Sequence, residues 1–361
     1  YPPEMERLVI LGMKQVNGYD TTGNYTLLPV TDTQIVKSMK DISKSAVNPY
    51  SSAKYAIPST YQADVNANIY TIDNITAGAD QGCILKDSAG SRVGTKTNPI
   101  TKSCTIKCNG ESFNTEVYFS PNDGAEIWVK IDGKINLNAD RGSIGKFIFV
   151  DQNINDADPS KTSPKLSSTK LNFFLTKNSS IGMNYGQIIT TTLKSLLEKN
   201  ATISINNYSL ATPTGATEIN SPQLFIYSEK GTSKTDVTAK IDMQNSALIT
   251  GHIKAAYLDA SITNVSTFPY NSDIYYNGIK ITGYNNNSAD HNTGSKGRFK
   301  VDSNDEVNTQ QFPIIGSMNV GKGSFGNDWT LLYVDPNKGG GTPSITPSGN
   351  HWYLVTYYDQ Y

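Results

Sequence analysis

The sequence predicts a mainly β, α+β fold with a few helices, whose C-terminal body is β-helix-like or made of stacked sheets. Residues 237–243 (VTAKIDM) alternate apolar and polar side chains, the period of a strand with one buried face. Two more strands are predicted directly afterwards, at residues 249–257 and 259–265. Only Asn-, Ser- and Gly-containing corners separate these strands, which leaves no room for crossover helices.

Few segments have the spacing of a helix. Residues 32–45 place Ile35, Met39 and Ile42 on one side, and residues 185–199 carry a similar apolar stripe. Most of the remaining chain reads as short strands and turns. The run IWVKIDGKINL, with Gly133 at its centre, predicts a tight hairpin.

The chain has 361 residues, enough for two regions. We place the boundary between them so that residues 1–112 form a mixed α/β N-terminal region and residues 113–361 form a β-rich domain. A formal net charge of −1 and only 31 Lys and Arg residues give no strong field for a polyanion. We therefore expect no nucleic-acid partner. The weakly charged, Tyr-rich composition favours an extracellular, surface-displayed β protein.

Three cysteines are too few for a disulfide framework. The simplest bridge joins Cys83 to Cys104 or to Cys108, and we predict the pair Cys83 and Cys104. If residues 104–108 form a strand, Cys104 and Cys108 lie about 13 Å apart, too far to pair with each other. Three free thiols are the alternative.

One acidic segment has the start of a calcium loop. Oxygen-bearing side chains recur through residues 151–158, and the predicted ligands are Asp151, Asn153, Asn155 and Asp158. The loop lacks the usual glycine at its sixth position and the closing glutamate at its twelfth. Ordinary solvated turns are the alternative, and we expect no other cofactor.

No catalytic motif is present, so we do not expect an enzyme. Asp242 and Asp259, close in sequence to His252, are the one acid–base group to consider, and alternating surface charge explains them more simply. Tyr275 and Tyr276 are candidates for a binding surface for sugar rings or a partner protein, with packing under loops as the alternative.

Several segments resemble the C-terminal β-rich head of pilin-like proteins in Gram-positive type IV pili. The resemblance covers about 250 residues from about residue 110 and is one of pattern. It is carried by residues 171–175 (LNFFL), 181–187 (IGMNYGQ), 224–227 (LFIY), 250–256 (TGHIKAA), 315–318 (IGSM) and 352–357 (WYLVTY). The apolar stem of a pilin does not match residues 1–4 (YPPE).

The resemblance implies a large minor pilin whose head sits at or near the tip of a pilus. Such a protein is a structural and adhesive subunit at the cell surface, which acts in pilus assembly and attachment. Its partners would be other pilins of the same fibre and a host surface, abiotic surface or glycan. Membrane contact is expected only through an N-terminal helix that this sequence does not contain. A secreted carbohydrate-binding or polysaccharide-active β-helix protein is the alternative function.

Overall fold

Strands dominate the computed structural model. It describes residues 54–334 except 76–81, 141–142, 156, 159–160, 206–213, 234–235, 246, 264–272, 277–278, 283–310 and 326–328. Within these residues there are two helices, Ser59–Ala67 (α1) and Thr191–Glu198 (α2), and 22 strands, which confirms the mainly β fold. All of these helices and strands belong to one compact unit, Ala53–Pro343. A second unit, Tyr1–Ser52 with Ser344–Tyr361, lies outside the described residues.

The central feature is a coil in which each turn of the chain pairs in parallel with the turns before and after it. Phe173, for example, stands between Val129 and Ile226 on its two neighbouring strands. Three stacks of strands form three faces, the topology of a parallel β-helix. Four long strands turn corners and contribute to more than one face: Cys104–Phe113 (β4), Glu126–Asp140 (β6), Leu248–Thr263 (β18) and Gln311–Phe325 (β21).

The shorter strands complete each face. Face 1 adds Lys170–Leu175 (β11) and Leu224–Ser228 (β16) to the first parts of β4 and β6 and the middle parts of β18 and β21. Face 2 adds Ser180–Asn184 (β12) and Ala239–Gln244 (β17) to the later parts of the long strands. Face 3 contains Glu116–Phe119 (β5), Lys146–Phe149 (β8), Gln187–Thr190 (β13), the beginnings of β18 and β21, and Trp329–Tyr333 (β22).

Smaller elements surround the coil. Ile69–Ile75 (β1) pairs in parallel with β4, and the antiparallel strands Gly82–Lys86 (β2) and Arg92–Val93 (β3) extend this edge. A separate sheet contains Thr217–Ile219 (β15), Ile203–Ile205 (β14), Asp273–Tyr276 (β19) and Ile279–Thr282 (β20). The remaining short strands are Ser143–Ile144 (β7), Gln152–Asn153 (β9) and Ser163–Pro164 (β10).

Stacked apolar side chains fill the coil. Phe119, Phe147 and Phe173 come from three different strands, and their ring centroids lie 5.3–5.5 Å apart. All three are essentially buried, together with the alternate Ile, Leu, Val and Met residues of the other strands. Inward and outward positions therefore alternate along each strand, as the sequence pattern predicts.

Close packing of backbones at the corner between faces 2 and 3 requires glycine. A Cβ atom on Gly145 would lie 2.0 Å from the carbonyl oxygen of Phe113, and one on Gly186 would lie 2.2 Å from that of Leu137. Both distances are far below van der Waals contact. The two glycines let successive turns of the coil stack directly at this corner.

The structure corrects three local predictions. The hairpin predicted at Gly133 is wrong, because β6 continues through this residue and pairs in parallel on both sides. The helix predicted over residues 185–199 is correct only from Thr191, since residues 187–190 form β13. The two strands predicted at 249–257 and 259–265 are one strand, β18.

Two further predictions concern the N-terminal part of the chain. The expected domain division at residues 112/113 falls within β4 and stays a prediction. The helix predicted over residues 32–45 lies outside the described residues.

Candidate binding surface on face 2

Much of the outside of face 1 is covered by an apolar cluster. Trp128, Phe174, Phe225 and Tyr227 point away from the coil interior, yet all are at least nine-tenths buried. They form an apolar cluster with residues of the N-terminal segment, including Val65 of α1. Tyr61 of α1 also packs against Trp128, with ring centroids 6.3 Å apart.

The outside of face 3 is covered as well. Its outward side chains form a second apolar cluster with α2 and β14; from face 3 these are Tyr118, Ile148, Ile189, Leu248 and Ile315. Leu193 and Leu197 of α2 are fully buried in this cluster. The helix is held at its N-terminus by Thr190, whose side chain accepts a hydrogen bond from the Leu193 amide.

On face 2 all the described outward side chains stay accessible. Over five strands these positions are polar or glycine, and each is exposed or half-buried: Lys134, Asn136, Asn138, Ser180, Gly182, Asn184, Lys240, Asp242, Gln244, Asp259, Ser261, Thr263, Lys322 and Ser324. The residues between them, such as Ile135 and Ile181, are buried in the core. Face 2 is therefore a flat, polar and accessible sheet surface.

Parallel pairing aligns these side chains into rows along the coil. One row contains Asn138, Asn184, Gln244 and Thr263, each directly opposite the next. Neighbouring members of a row are about 4.8 Å apart, and adjacent rows are about 6.6 Å apart. These rows were not predicted, because the pairing register that creates them is not visible in any one strand.

Local hydrogen bonds hold several of these side chains in place. Asn138 Nδ2 donates to the Ser112 hydroxyl at 2.7 Å, and Gln244 Nε2 donates to Asp242 at 3.2 Å. Asn184 accepts a hydrogen bond from Asn245. Each amide retains further donor and acceptor capacity, since an amide group has two N–H donors and a carbonyl oxygen with two lone pairs.

The residues of the considered acid–base group lie on different faces. His252 stands on the outside of face 1, opposite Phe225 and Ser317, whereas Asp242 and Asp259 belong to face 2. His252 is fully buried and bonded through its two ring nitrogens to the hydroxyls of Ser221 and Ser317. Burial, with Lys254 nearby, lowers its pKa to about 3, so the ring is neutral near pH 7.

The four residues of the predicted calcium loop make separate local contacts. Asp151 Oδ1 accepts hydrogen bonds from the Thr191 hydroxyl and from the amide and hydroxyl of Thr192, at 2.8–3.0 Å. Asp151 therefore accepts hydrogen bonds from the N-terminal residues of α2 and holds this end of the helix in place. Burial of this carboxylate raises the pKa of Asp151, while the three hydrogen bonds act in the opposite direction.

The other three predicted ligands are engaged elsewhere. Asn153 bonds Ser163, Asn155 accepts the amides of residues 157 and 158 in a turn, and Asp158 pairs with Lys161. In the part of the chain that the structure describes, no three His, Cys, Asp or Glu side chains form a group that could hold a metal ion. Calcium binding stays a prediction.

All three cysteines are free thiols, so the predicted bridge between Cys83 and Cys104 is not formed. Strand β1 lies between their strands, and Cys83 stands opposite Asn74 while Thr105 stands opposite Ile69. The two cysteines are thus offset by roughly 20 Å along the strand direction, whereas a disulfide needs Cα atoms within about 7 Å.

The tyrosine pair lies in the separate four-stranded sheet. Tyr275 and Tyr276 are in β19, opposite Ser204 and Ile205 of β14. Their side chains lie outside what the structure describes, and their role in binding stays a prediction.

An open cavity of about 210 Å³ lies beside face 3, lined by Tyr118, Ser120, Gln152, Lys96 and Lys165 among others. Lys165 Nζ donates to Ser120 Oγ at 3.0 Å and to the carbonyl of Pro121, and burial lowers its pKa. These contacts tie the loop that contains Lys165 to the coil.

Comparison with known proteins identifies no relative of the chain. Family models, curated proteins and solved structures were compared with the chain, and none of them gives a significant match. Neither helix within residues 54–334 has the length and apolar character needed to span a membrane.

Proposed function

We propose that the chain is a non-catalytic structural and adhesive subunit of an extracellular surface fibre, of the minor type IV pilin kind. In this role it contributes to fibre assembly and makes contact with a surface through face 2. Its partners are the other subunits of the fibre and the surface to which the cell attaches.

One observation carries the proposal: every described outward position of face 2 is accessible and polar or glycine, whereas apolar clusters cover face 3 and much of face 1. A rigid coil with one accessible face is suited to presenting a contact surface. His252 supports a non-catalytic role, because a neutral, fully buried imidazole bonded to Ser221 and Ser317 is inaccessible to substrate.

Immunogold labelling of intact cells of the source bacterium tests this function. Antibodies raised against the purified chain are expected to label surface fibres, and a strain that lacks the gene provides the control. Deletion of the gene is expected to reduce fibre number or attachment. Label confined to the cell interior, with fibres and attachment unchanged in the deletion strain, would contradict the proposal.

A further inference from the structure

The row of amides on face 2 offers a repeated hydrogen-bonding pattern. Asn138, Asn184 and Gln244 stand directly opposite one another on three successive strands, about 4.8 Å apart. Thr263 continues the row on β18. A ligand that lies along the coil would meet an amide or a hydroxyl at every strand.

The neighbouring row has a similar character. It contains Asn136, Gly182, Asp242 and Ser261 in register. A Cβ atom on Gly182 would lie 2.4 Å from Asn136 Oδ1, so the Asn136 amide lies over the space that the glycine leaves. Two adjacent rows thus combine amides, hydroxyls and a carboxylate on one flat surface.

These groups match the hydroxyls of a sugar polymer. A sugar hydroxyl both donates and accepts hydrogen bonds, and amide side chains can satisfy both functions. Each single hydrogen bond contributes only about 0.5–1.5 kcal/mol net, so useful affinity requires many of them in register. A polymer with a regular repeat supplies such a series, whereas a small molecule does not.

The charge on face 2 favours a neutral polymer. Its outward lysines, Lys134, Lys240 and Lys322, are nearly balanced by Asp242 and Asp259. Lys322 is further paired with Asp259 at 3.4 Å. A polyanion would need a surplus of positive charge, which this surface lacks.

The composition of face 2 disfavours a second copy of the chain as the occupant. Stable protein–protein interfaces have an apolar, aromatic-rich centre. The described outward positions of face 2 from Lys134 to Ser324 carry only polar side chains or glycine, and none of them is aliphatic or aromatic.

We infer that face 2 binds a neutral, hydroxyl-rich polysaccharide along the row formed by Asn138, Asn184 and Gln244. This inference deepens the proposed function and depends on it for its biological setting. It names the class of ligand that the adhesive face takes.

Binding of the purified full chain to neutral polysaccharides tests the inference. Cellulose, chitin and dextran serve as probes, with alginate as an acidic comparison. The test variant is Asn138→Ala with Asn184→Ala and Gln244→Ala. The matched control removes three exposed amides elsewhere, by Asn66→Ala with Asn122→Ala and Asn220→Ala.

We expect the wild type and the control to bind at least one neutral polysaccharide and the test variant to bind about tenfold more weakly or worse, as loss of several hydrogen bonds implies. Circular dichroism and the urea midpoint establish that each variant is folded. Equal affinity of test variant and wild type would overturn the inference, as would preference for alginate, dimerisation through face 2, or no binding to any neutral probe. If these outcomes occur while antibodies still label surface fibres, the proposed function stands and only the ligand class fails.

Discussion

Phe225 and His252 stand opposite each other on neighbouring strands of face 1, with ring centroids 5.3 Å apart. The imidazole also contacts the hydroxyls of Ser221 at 3.0 Å and Ser317 at 2.7 Å. One ring nitrogen donates and the other accepts when the ring is neutral. Because each serine hydroxyl can either donate or accept, these contacts suit the neutral ring, and burial, with Lys254 nearby, disfavours the protonated form.

Stability is expected to fall on acidification because of His252. Its pKa is about 3 in the folded chain and about 6.5 when exposed. Between these values the unfolded chain binds the extra proton, so the contribution of His252 is complete above pH about 6.5 and decreases by about 1.4 kcal/mol per pH unit below it. His252→Gln should remove this part of the pH dependence.

Urea unfolding of wild type and His252→Gln between pH about 4 and about 7 measures this pH dependence of stability. The free energy of unfolding of the wild type should decrease more steeply on acidification than that of the variant. Parallel curves for the two proteins would show that His252 titrates normally in the folded chain.

Gly145→Ala is expected to destabilise the coil strongly. The added methyl group would lie 2.0 Å from the Phe113 carbonyl oxygen, and relief requires two backbones to separate. We expect a loss of about 3 kcal/mol or more in the free energy of unfolding, a value typical of severe overpacking. Urea unfolding measures the loss.

Gly90→Ala is the control for this prediction. No atom lies within 4 Å of the position of its Cβ, although its φ of +82° adds some backbone strain. We expect a loss of only about 1–2 kcal/mol there. Equal losses at Gly90 and Gly145 would contradict the close stacking at the corner between faces 2 and 3.

Asp151→Ala should weaken the attachment of α2. The carboxylate accepts three hydrogen bonds from Thr191 and Thr192, and loss of such a group at a helix N-terminus typically costs about 1–2 kcal/mol. Asp158→Ala, which removes an exposed ion pair with Lys161, should change stability by less than about 0.5 kcal/mol.

Both Asp variants are to be unfolded in urea with EDTA and again with calcium. A loss at Asp151 of equal size under both conditions is expected from its role at α2. A loss that appears only with calcium would instead support the predicted metal loop.

The cysteines should behave as three poorly reactive thiols. Burial raises the pKa of Cys83 and Cys104, and it raises that of Cys108 to about 12 with the carboxylates of Glu111 and Asp132 adding to the effect. Because the thiolate is the reactive form, a chromogenic thiol reagent should react slowly with the folded chain. In urea without reductant it should detect all three thiols, and detection of only one would reveal a disulfide.

The mainly β fold was predictable because outward and inward residues alternate clearly where one side of a strand meets water. The pattern of residues 237–243 gave β17 for this reason, with Lys240 and Asp242 on the accessible side. The prediction was wrong where local patterns are ambiguous. Ile188 and Ile189 fit a helix as well as a fully buried strand, and only their pairing with Phe147 and Ile148 decides for the strand.

Face 2 could not be predicted from sequence alone. Asn138, Asn184 and Gln244 are 46 and 60 residues apart along the chain, and only the parallel register brings them into one row. Nor does the sequence reveal which faces are covered. That depends on the packing of α1 and α2 against the outside of the coil.

The central claim is that the chain mediates attachment through face 2. The most direct test is the attachment of cells that produce Ser180→Arg with Ser261→Arg, two bulky substitutions on face 2, compared with Ser59→Arg with Ser167→Arg, at exposed sites elsewhere. With equal surface display, we predict that attachment by the face 2 variant falls to the level of cells that lack the gene, while the control attaches normally. Normal attachment by the face 2 variant would contradict the account.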